Sequence, residues 1–478
     1  MTGTAGVAAI SQPDELLLDA IYYDTADLRL IGAGITLRQR TGGEDAGWHL
    51  KLPAGADTRD EIQLPLDQHG RSAVPKELAA LVRAYTRDEP LAPVVRIQTR
   101  RSELHLLDQA GRILAEVAAD HVSAGPVDGP AAASWDEIEA ELVNGDAKLL
   151  TAIDTRLRNA GARTAPTATK LERALTGRLP PTKAAQPRPL TAQSTAGEVV
   201  LAYVRDQMAA ICRYDPLVRR GEPDAVHQMR VATRRARSAL QAFGTVIEWE
   251  ATRTLGAELK WLATALGQAR DAEVLRDRLA SGLAAVPAAL VVGPVEARIT
   301  AHFATVVGQA RNAVLRALGG RRYIRLLDDL DALLAGPPLG PLAQRKAAAA
   351  LARPVRRTQR RLERALAAVP GAEDRDTAIH EARKAAKRAR YAAEAAVPAL
   401  GAKALRQATQ AKDLQQLLGD HHDSVVARAV LLSLAAQARA DGHDTFSYGL
   451  LYQSLVCQAA SIEQALPRLN AHGHTGRQ

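Results

Sequence analysis

Two rhythms divide this chain. Between residues 21 and 175, short segments alternate in character: GITLRQRT, GWHLKLP, TRDEIQLPL, RILAEVAADHV and SWDEIEAELVNGD, punctuated by Gly-Gly, Pro and Asn-Gly. A side-chain period of two predicts strands, and the punctuation predicts turns. One interposed segment, VPKELAALVRAYT, has helical spacing. The expectation is a mainly antiparallel β domain with some helix. From about residue 196, long amphipathic stretches follow one another, broken at YDPLVRRGEPD, GLAAVPAALVVGP, LAGPPLGP, AAVPGAEDRD and AAVPALGA. That predicts an all-helical part. Between them, GRLPPTKAAQPRPLTAQSTA holds four prolines and few apolar residues, and reads as a linker. The fold class is therefore α+β, with a strand domain over 1–178, a linker over 179–195 and a helical domain over 196–470.

The helical part also repeats itself. AVHQMRVATRRARSALQAF (225–243) returns 153 residues later as AIHEARKAAKRARYAAEAA (378–396). A second pair follows, LKWLATALGQARDAEV and AKDLQQLLGDHHDSVV. Lys260 precedes Leu266 and Gly267 by the offsets that separate Lys412 from Leu418 and Gly419, and Asp271 and Asp423 each lie four residues beyond their glycine. Two copies of one helical unit, packed about a pseudo-twofold axis, are expected.

Composition sharpens this picture in one respect. The net charge of +9 comes from a first part (1–180) with 20 basic against 26 acidic residues and a remainder with 42 against 27. A polyanionic partner therefore belongs to the helices. Offsets of 0, 3, 7 and 10 stay within one stripe of a helix, so His227, Arg230, Arg234 and Arg237 form a ridge, as do His380, Arg383, Lys387 and Arg390. Like charges at these spacings oppose helix formation by roughly 0.2–0.5 kcal/mol per pair. Either acids on neighbouring helices balance the stripes, or an anion does; guanidinium groups suit phosphate, and histidine adds a donor that responds to pH. His421 and His422 in LLGDHHDSV diverge by about 100° on a helix and cannot share one ion with Asp420 and Asp423. A helix-end or repeat-interface role is expected for them. Tyr391 and Glu394 are expected to pack or pair, and Arg235 and Arg388 lie off the ridge centres.

In the strand part, Arg38 and Arg40 share a face, and so do Glu137, Glu139 and Glu141. Such acids either line the solvent face of a one-sided sheet or, inside a closed barrel, hold a divalent metal beside a polyanion.

VHQMRVATRRARSAL, IHEARKAAKRARYAAE and the two LG…D segments resemble the CHAD domain, the conserved histidine α-helical domain, over 196 to about 470. That resemblance implies two pseudo-symmetric helical bundles around a basic channel that binds inorganic polyphosphate. It points to His227, Arg230, Arg234, Arg237, His380, Arg383, Lys384, Lys387 and Arg390 as ligand-facing. YYDTADLRLIGAGITLRQRTGGEDAGWHLKLP, TRDEIQLPL, LAEVAADHV, WDEIEAELVNGD and TKLERAL resemble the CYTH domain of the triphosphate tunnel metalloenzymes, over about 20 to 178. This implies an antiparallel tunnel of eight strands that binds triphosphate through Arg38, Arg40, Lys51, Arg96, Arg101 and Lys170. Magnesium or manganese would be held by Glu137, Glu139 and Glu141, with Glu61, Glu116 and Asp120 as further acids. One family feature is missing: no Glu-x-Glu-x-Lys strand precedes Tyr22, where Glu15 is the only glutamate and no lysine occurs. Either translation starts upstream of this sequence or the tunnel lacks its first strand. As written, an open edge and an incomplete metal site are expected, which weighs against catalysis.

The functional expectation is a polyphosphate-binding protein with an attached triphosphate-binding domain. That domain would be a metal-dependent inorganic triphosphatase if its first strand exists. The alternatives are a nucleic-acid-binding helical protein and an adenylate cyclase of the CYTH kind. No helix-turn-helix, zinc finger or RNA-binding signature is present, and 3% aromatic content leaves little for base stacking. Nucleic acid is thus not the expected partner, and neither is membrane. Two cysteines without metal or redox spacing and the lack of a leader pattern suggest the cytoplasm, with association to polyphosphate granules as a further expectation.

Overall fold

A computed structural model describes residues 6–55, 58–66, 73–166, 169–179 and 189–472. The chain forms two compact units, Met1–Ala185 and Gln186–Gln478. The linker expected over 179–195 falls mainly on 180–188, outside the described residues.

In the first unit the alternating segments pair into one antiparallel sheet of eight strands. These are β1 (Ala9–Ile10), β2 (Asp14–Asp24), β3 (Thr36–Thr41), β4 (Gly47–Pro53), β5 (Arg59–Leu64), β6 (Ala92–Leu107), β7 (Ile113–Gly125) and β8 (Ala133–Leu142). Their order is β5-β4-β3-β2-β6-β7-β8, with β1 on β6; among the described residues β5 and β8 end the path without pairing to each other. Gly42 (φ 80°) supplies the Gly-Gly turn after β3, where a Cβ would meet the Leu17 carbonyl oxygen at 1.9 Å. The Asp24 carboxylate accepts hydrogen bonds from the backbone N–H groups of Thr25, Leu30 and Ile31, which fixes the one-turn helix α1 (Arg29–Gly32).

Strand parity sorts the rest. On the outer face Tyr23, Leu37, Trp48, Leu50 and Leu52 pack against Leu78 and Val82 of α2 (Lys76–Thr86), the helix expected from VPKELAALVRAYT. Further along, Leu106, Ala115 and Val117 pack under Leu149 and Ile153 of α3 (Ala147–Asn159). The short α4 (Lys170–Ala174), opened by a Thr169–Glu172 capping box, sets Leu171 with Tyr22, Ile97, Val122 and Trp135. Lys170 thereby faces the inner side of the sheet.

The second unit is helical: α5 (Ala196–Arg220), α6 (Ala225–Ala242), α7 (Trp249–Ala284), α8 (Val295–Gly319), α9 (Arg321–Ala335), α10 (Ala347–Ala368), α11 (Arg375–Ala440) and α12 (Phe446–His472). The internal repeat is visible as two series. α5, α6, α7 and α8 form one, and α10, α11 and α12 form the other, because the counterparts of α6 and α7 are joined in α11 across Gly401 (φ 59°, ψ −143°). α9 lies between the series. Alanine sets the spacing: Ala382, Ala385, Ala386 and Ala389 bury against Leu362, Leu366 and Leu418, where small side chains let helix axes approach. A separate core of Leu279, Phe303, Leu431, Tyr448 and Leu451 joins α7, α8, α11 and α12. The two histidine-bearing helices, α6 and α11, touch each other. Among the described residues no helix is long and apolar enough to cross a membrane.

Candidate functional site

The inner face of the sheet lines a cavity of 1180 Å³. Arg38 and Arg40 of β3, Lys51 of β4, Glu61 of β5, Arg101 of β6, Glu116 of β7, Glu139 and Glu141 of β8 and Lys170 of α4 all open onto it. Arg96 does not. It lies five residues from Arg101 on the same continuous strand, so parity sends it to the other face, where it pairs with Asp19. The expectation that Arg96 binds phosphate is corrected accordingly.

The cavity's charges are largely paired within the unit. Arg101 grips Asp120 bidentately, with Nε and Nη2 each donating at 2.8 Å, and donates also to Glu139 at 2.9 Å. Lys170 Nζ lies 3.0, 2.7 and 2.6 Å from Asp120, Glu137 and Glu139. Burial works against the lysine's charge, yet Glu139, Glu137 and Asp120 raise its pKa above the ordinary range. On the facing wall, Glu61 receives His49 Nδ1 at 2.8 Å and Lys51 Nζ at 3.1 Å; burial opposes its ionisation, but these partners hold its carboxyl down to about 2. Arg40 meets Asp45. Burial, Arg38 and Arg101 lower its guanidinium to about 10. Arg38 reaches only the Tyr22 hydroxyl, at 3.3 Å, and its Nε is buried without a partner, as is that of Arg40.

The acids expected as metal ligands separate into three places. Asp120, Glu137 and Glu139 have oxygens within 4.8 Å of one another. Glu141 instead stands opposite Glu116 in the β7–β8 register, at the end bearing His105, and Glu61 lies on the other wall. The expected triad of Glu137, Glu139 and Glu141 is thus replaced by one in which Asp120 takes the place of Glu141. Three carboxylates are hard oxygen donors that suit magnesium or manganese. Here their charge is met by Lys170 and Arg101.

The helical unit handles charge differently. From α6 and α11, Arg234, Arg230 and Arg383 surround Lys387. Burial first, then these three guanidinium groups, lower the lysine to about 6. Burial and Arg230 and Arg383 also lower Arg234. The Nε atoms of Arg230, Arg237, Arg270 and Arg383 are buried with no hydrogen-bond partner. The LG…D motif gains a meaning: Gly267 lies under the Arg230 guanidinium and Gly419 under that of Arg383, with Nε 3.4 and 3.6 Å from the place a Cβ would take. Asp271 then accepts from Arg230 at 2.9 Å, and Asp423 lies 3.8 Å from Arg383. His227 is lowered by burial, with Arg270, Arg230 and Arg390 adding to the effect. His380 lies ring to ring with His422, Nδ1 to Nδ1 at 3.3 Å, and burial with Arg383 and His380 brings His422 down to about 4.

Two expected ligands are engaged elsewhere. Arg390 donates to Glu394 at 2.7 Å, and Lys384 to Glu381 at 2.6 Å. Glu394 also accepts from Arg235, so it pairs as expected, and Tyr391 is buried beneath both arginines. His421 and His422 point apart, His421 into a buried place between Glu463 (3.1 Å) and Asp376 (3.6 Å). Arg270 and His422 are members of the basic cluster that ridge periodicity on α6 and α11 alone misses. They occupy equivalent positions in the repeat, each just before the motif aspartate.

Comparison with known proteins bears on both units. The CYTH domain model matches residues 7–174, and the CHAD domain model matches residues 202–432. The uncharacterized proteins Rv2226 and MT2285 of Mycobacterium tuberculosis are each 41% identical over 469 residues, 94% of this chain and 88% of theirs. Among solved structures, the CHAD domain from the plant Ricinus communis is 29% identical with a TM-score of 0.50, covering 60% of this chain and 94% of that one. PptA from Streptomyces chartreusis shares the fold at 22% identity and a TM-score of 0.50, over 58% of this chain and 99% of its own.

Proposed function

For a chain that belongs to the proteins joining a CYTH domain to a CHAD domain, we propose that the helical unit binds inorganic polyphosphate and that the strand unit takes triphosphate or a polyphosphate end. One observation carries the first part: the Nε donors of Arg230 and Arg383, one from each repeat, are buried without partners beside Lys387, which burial first and then Arg234, Arg383 and Arg230 drive toward neutrality. An anion between α6 and α11 would give those donors acceptors and relieve the mutual repulsion. Repeated oxyanions at short intervals match repeated guanidinium groups along two ridges.

In the strand unit, Arg38, Arg40 and Lys51 would hold phosphoryl oxygens, and Asp120, Glu137 and Glu139 would hold magnesium or manganese. A metal bound there would supply charge neutralisation and polarisation of a phosphoryl group. Lys170 would then leave the carboxylates it now bridges, free to meet phosphate.

Titration of the full chain with polyphosphate tests the first part. Arg230→Ala with Arg383→Ala is expected to weaken binding by about 100-fold or more, since each charge-assisted hydrogen bond is worth about 1.5–3 kcal/mol. An excess of duplex DNA at equal salt should displace little polymer; preferential binding of DNA would overturn the reading. Phosphate release from tripolyphosphate with either metal, set against Glu139→Ala, tests the second part. Release that survives the substitution would remove those acids from the chemistry.

A further inference from the structure

A second cationic cavity lies on the helical unit, outside the histidine ridges. Its 810 Å³ are enclosed by α6, α7, α10 and α11, and four arginines open onto it: Arg357, Arg361 and Arg364 of α10 and Arg388 of α11. At 100° per residue the three on α10 fall within one stripe. No carboxylate lines the cavity, and among the described residues none of the four has a carboxylate partner. Arg357 reaches the Ala242 carbonyl only at 3.5 Å, and Arg364 that of Arg360 at 3.4 Å. Trp249, pinned against Gly256, forms an apolar part of the wall.

The internal repeat shows what is unusual about this place. Arg388 corresponds to Arg235, and Gln241 to Glu394. At one of the two equivalent contacts between the copies the pair is closed, because Arg235 of the first copy donates to Glu394 of the second at 2.9 Å and the Tyr203 hydroxyl donates to the same carboxylate at 3.4 Å. At the other contact the place of the acid is taken by the neutral Gln241 of the first copy, Arg388 of the second has no hydrogen-bonded carboxylate among the described residues, and α10 adds three more arginines. One locus is a salt bridge; its mate is an open cationic cavity. The cavity also adjoins the first ridge: burial and then Arg388 lower the guanidinium of Arg237, the last ridge residue.

We propose that this cavity holds phosphoryl groups of the same polyphosphate chain whose middle lies between α6 and α11, so that affinity depends on chain length. This rests on the reading of the helical unit given above. Arg237 and Arg388 form the passage, and Arg357, Arg361 and Arg364 grip the extension.

The test is titration of the full chain with a long polymer and with tripolyphosphate, for the parent, for R361E/R364E and for R321E/R325E. The last pair is exposed on α9 and carries the same change of charge. The α10 variant is expected to weaken the long polymer about tenfold or more and to flatten its salt dependence, as two lost charge-assisted contacts should. Tripolyphosphate binding should stay as it was, and R321E/R325E should match the parent. R361Q/R364Q, which removes charge without reversing it, should give the same order of effects more weakly. Equal losses in the α9 and α10 variants would reduce the effect to bulk charge and overturn the cavity. So would an unchanged polymer isotherm, or one in which tripolyphosphate alone loses a site, which would make the cavity a separate receptor for short phosphate compounds. A parent chain that binds no polymer would overturn the reading of the ridges first, before any variant is compared.

Discussion

Both units collect cations on an inner surface, but they differ in how far acids meet the central ones: Lys170 has three carboxylates, whereas Lys387 is ringed by arginines. In the cavity of the strand unit, Arg101 has Asp120, Lys170 has three carboxylates, Lys51 has Glu61 and Arg40 has Asp45. In the helical cluster, Arg234, Arg237 and Lys387 have no carboxylate partner among the described residues. A paired surface keeps its shape without a ligand, and a ligand must break or exchange ion pairs to enter. An unpaired surface stores repulsion that a ligand releases. The same residue types are thus largely neutralised by pairing in one unit and left mutually repelling around Lys387 in the other.

The sharpest way to break this comparison is to remove a central lysine from each side. Lys170→Met should destabilise the strand unit by about 3 kcal/mol, because three carboxylates lose their shared cation. Asp120, held below its ordinary value against burial by Arg101 and Lys170, contributes stability above its unfolded pKa that is lost as pH falls through the folded one. The gap between parent and variant should therefore narrow below about pH 4. Equal denaturation midpoints at neutral pH would show that the carboxylates do not depend on Lys170.

Lys387→Met should do the opposite. Removing a buried, repelled amine is expected to stabilise the unliganded helical unit by about 1 kcal/mol, while polyphosphate binding weakens severalfold. A loss of stability in calorimetry would mean that the amine has a partner in solution.

The remaining effect is one of pH, and its sign is fixed. Lys387 titrates at about 6 in the folded chain against 10.5 for the ordinary side chain. Between those values the unfolded chain binds more protons, so this group makes stability rise with pH across that window. Phosphate favours the ammonium form, so affinity should fall as pH rises above 6, with proton uptake on binding. Comparing parent with Lys387→Met in buffers of different ionisation enthalpy isolates the contribution. Identical proton uptake in the two would assign it to the histidines.

The ridges and the two-copy architecture were legible because they depend on periodicity within a helix, which sequence displays directly. So was the inner set Arg38, Arg40, Lys51, Arg101 and Lys170, named from a family resemblance; strand parity brings the first four to one face and α4 brings Lys170 to the same cavity. Arg96 shows where such transfer fails. Residues 92–107 form one uninterrupted strand, and over that length an offset of five cannot keep two side chains on one face. Asp120 was undervalued because its neighbours, Arg101 and Lys170, come from β6 and α4; three-body ion pairs leave no local pattern. Arg390 and Glu394 could have been read as a pair from their spacing of four. Arg270 could have been found by carrying the repeat alignment one residue back from the motif aspartate.

Gly401 has a further consequence. The first copy turns from α6 to α7 over the several residues between 242 and 249, tied to the segment at 338–342 by backbone hydrogen bonds. The second makes the corresponding turn at a single residue whose φ of 59° and ψ of −143° are open in practice to glycine alone. Mutational tolerance in the two copies should therefore be distributed unequally. Random substitution will find many mildly costly positions in the first connection and one severe position in the second, so the two copies present selection with targets of very different width.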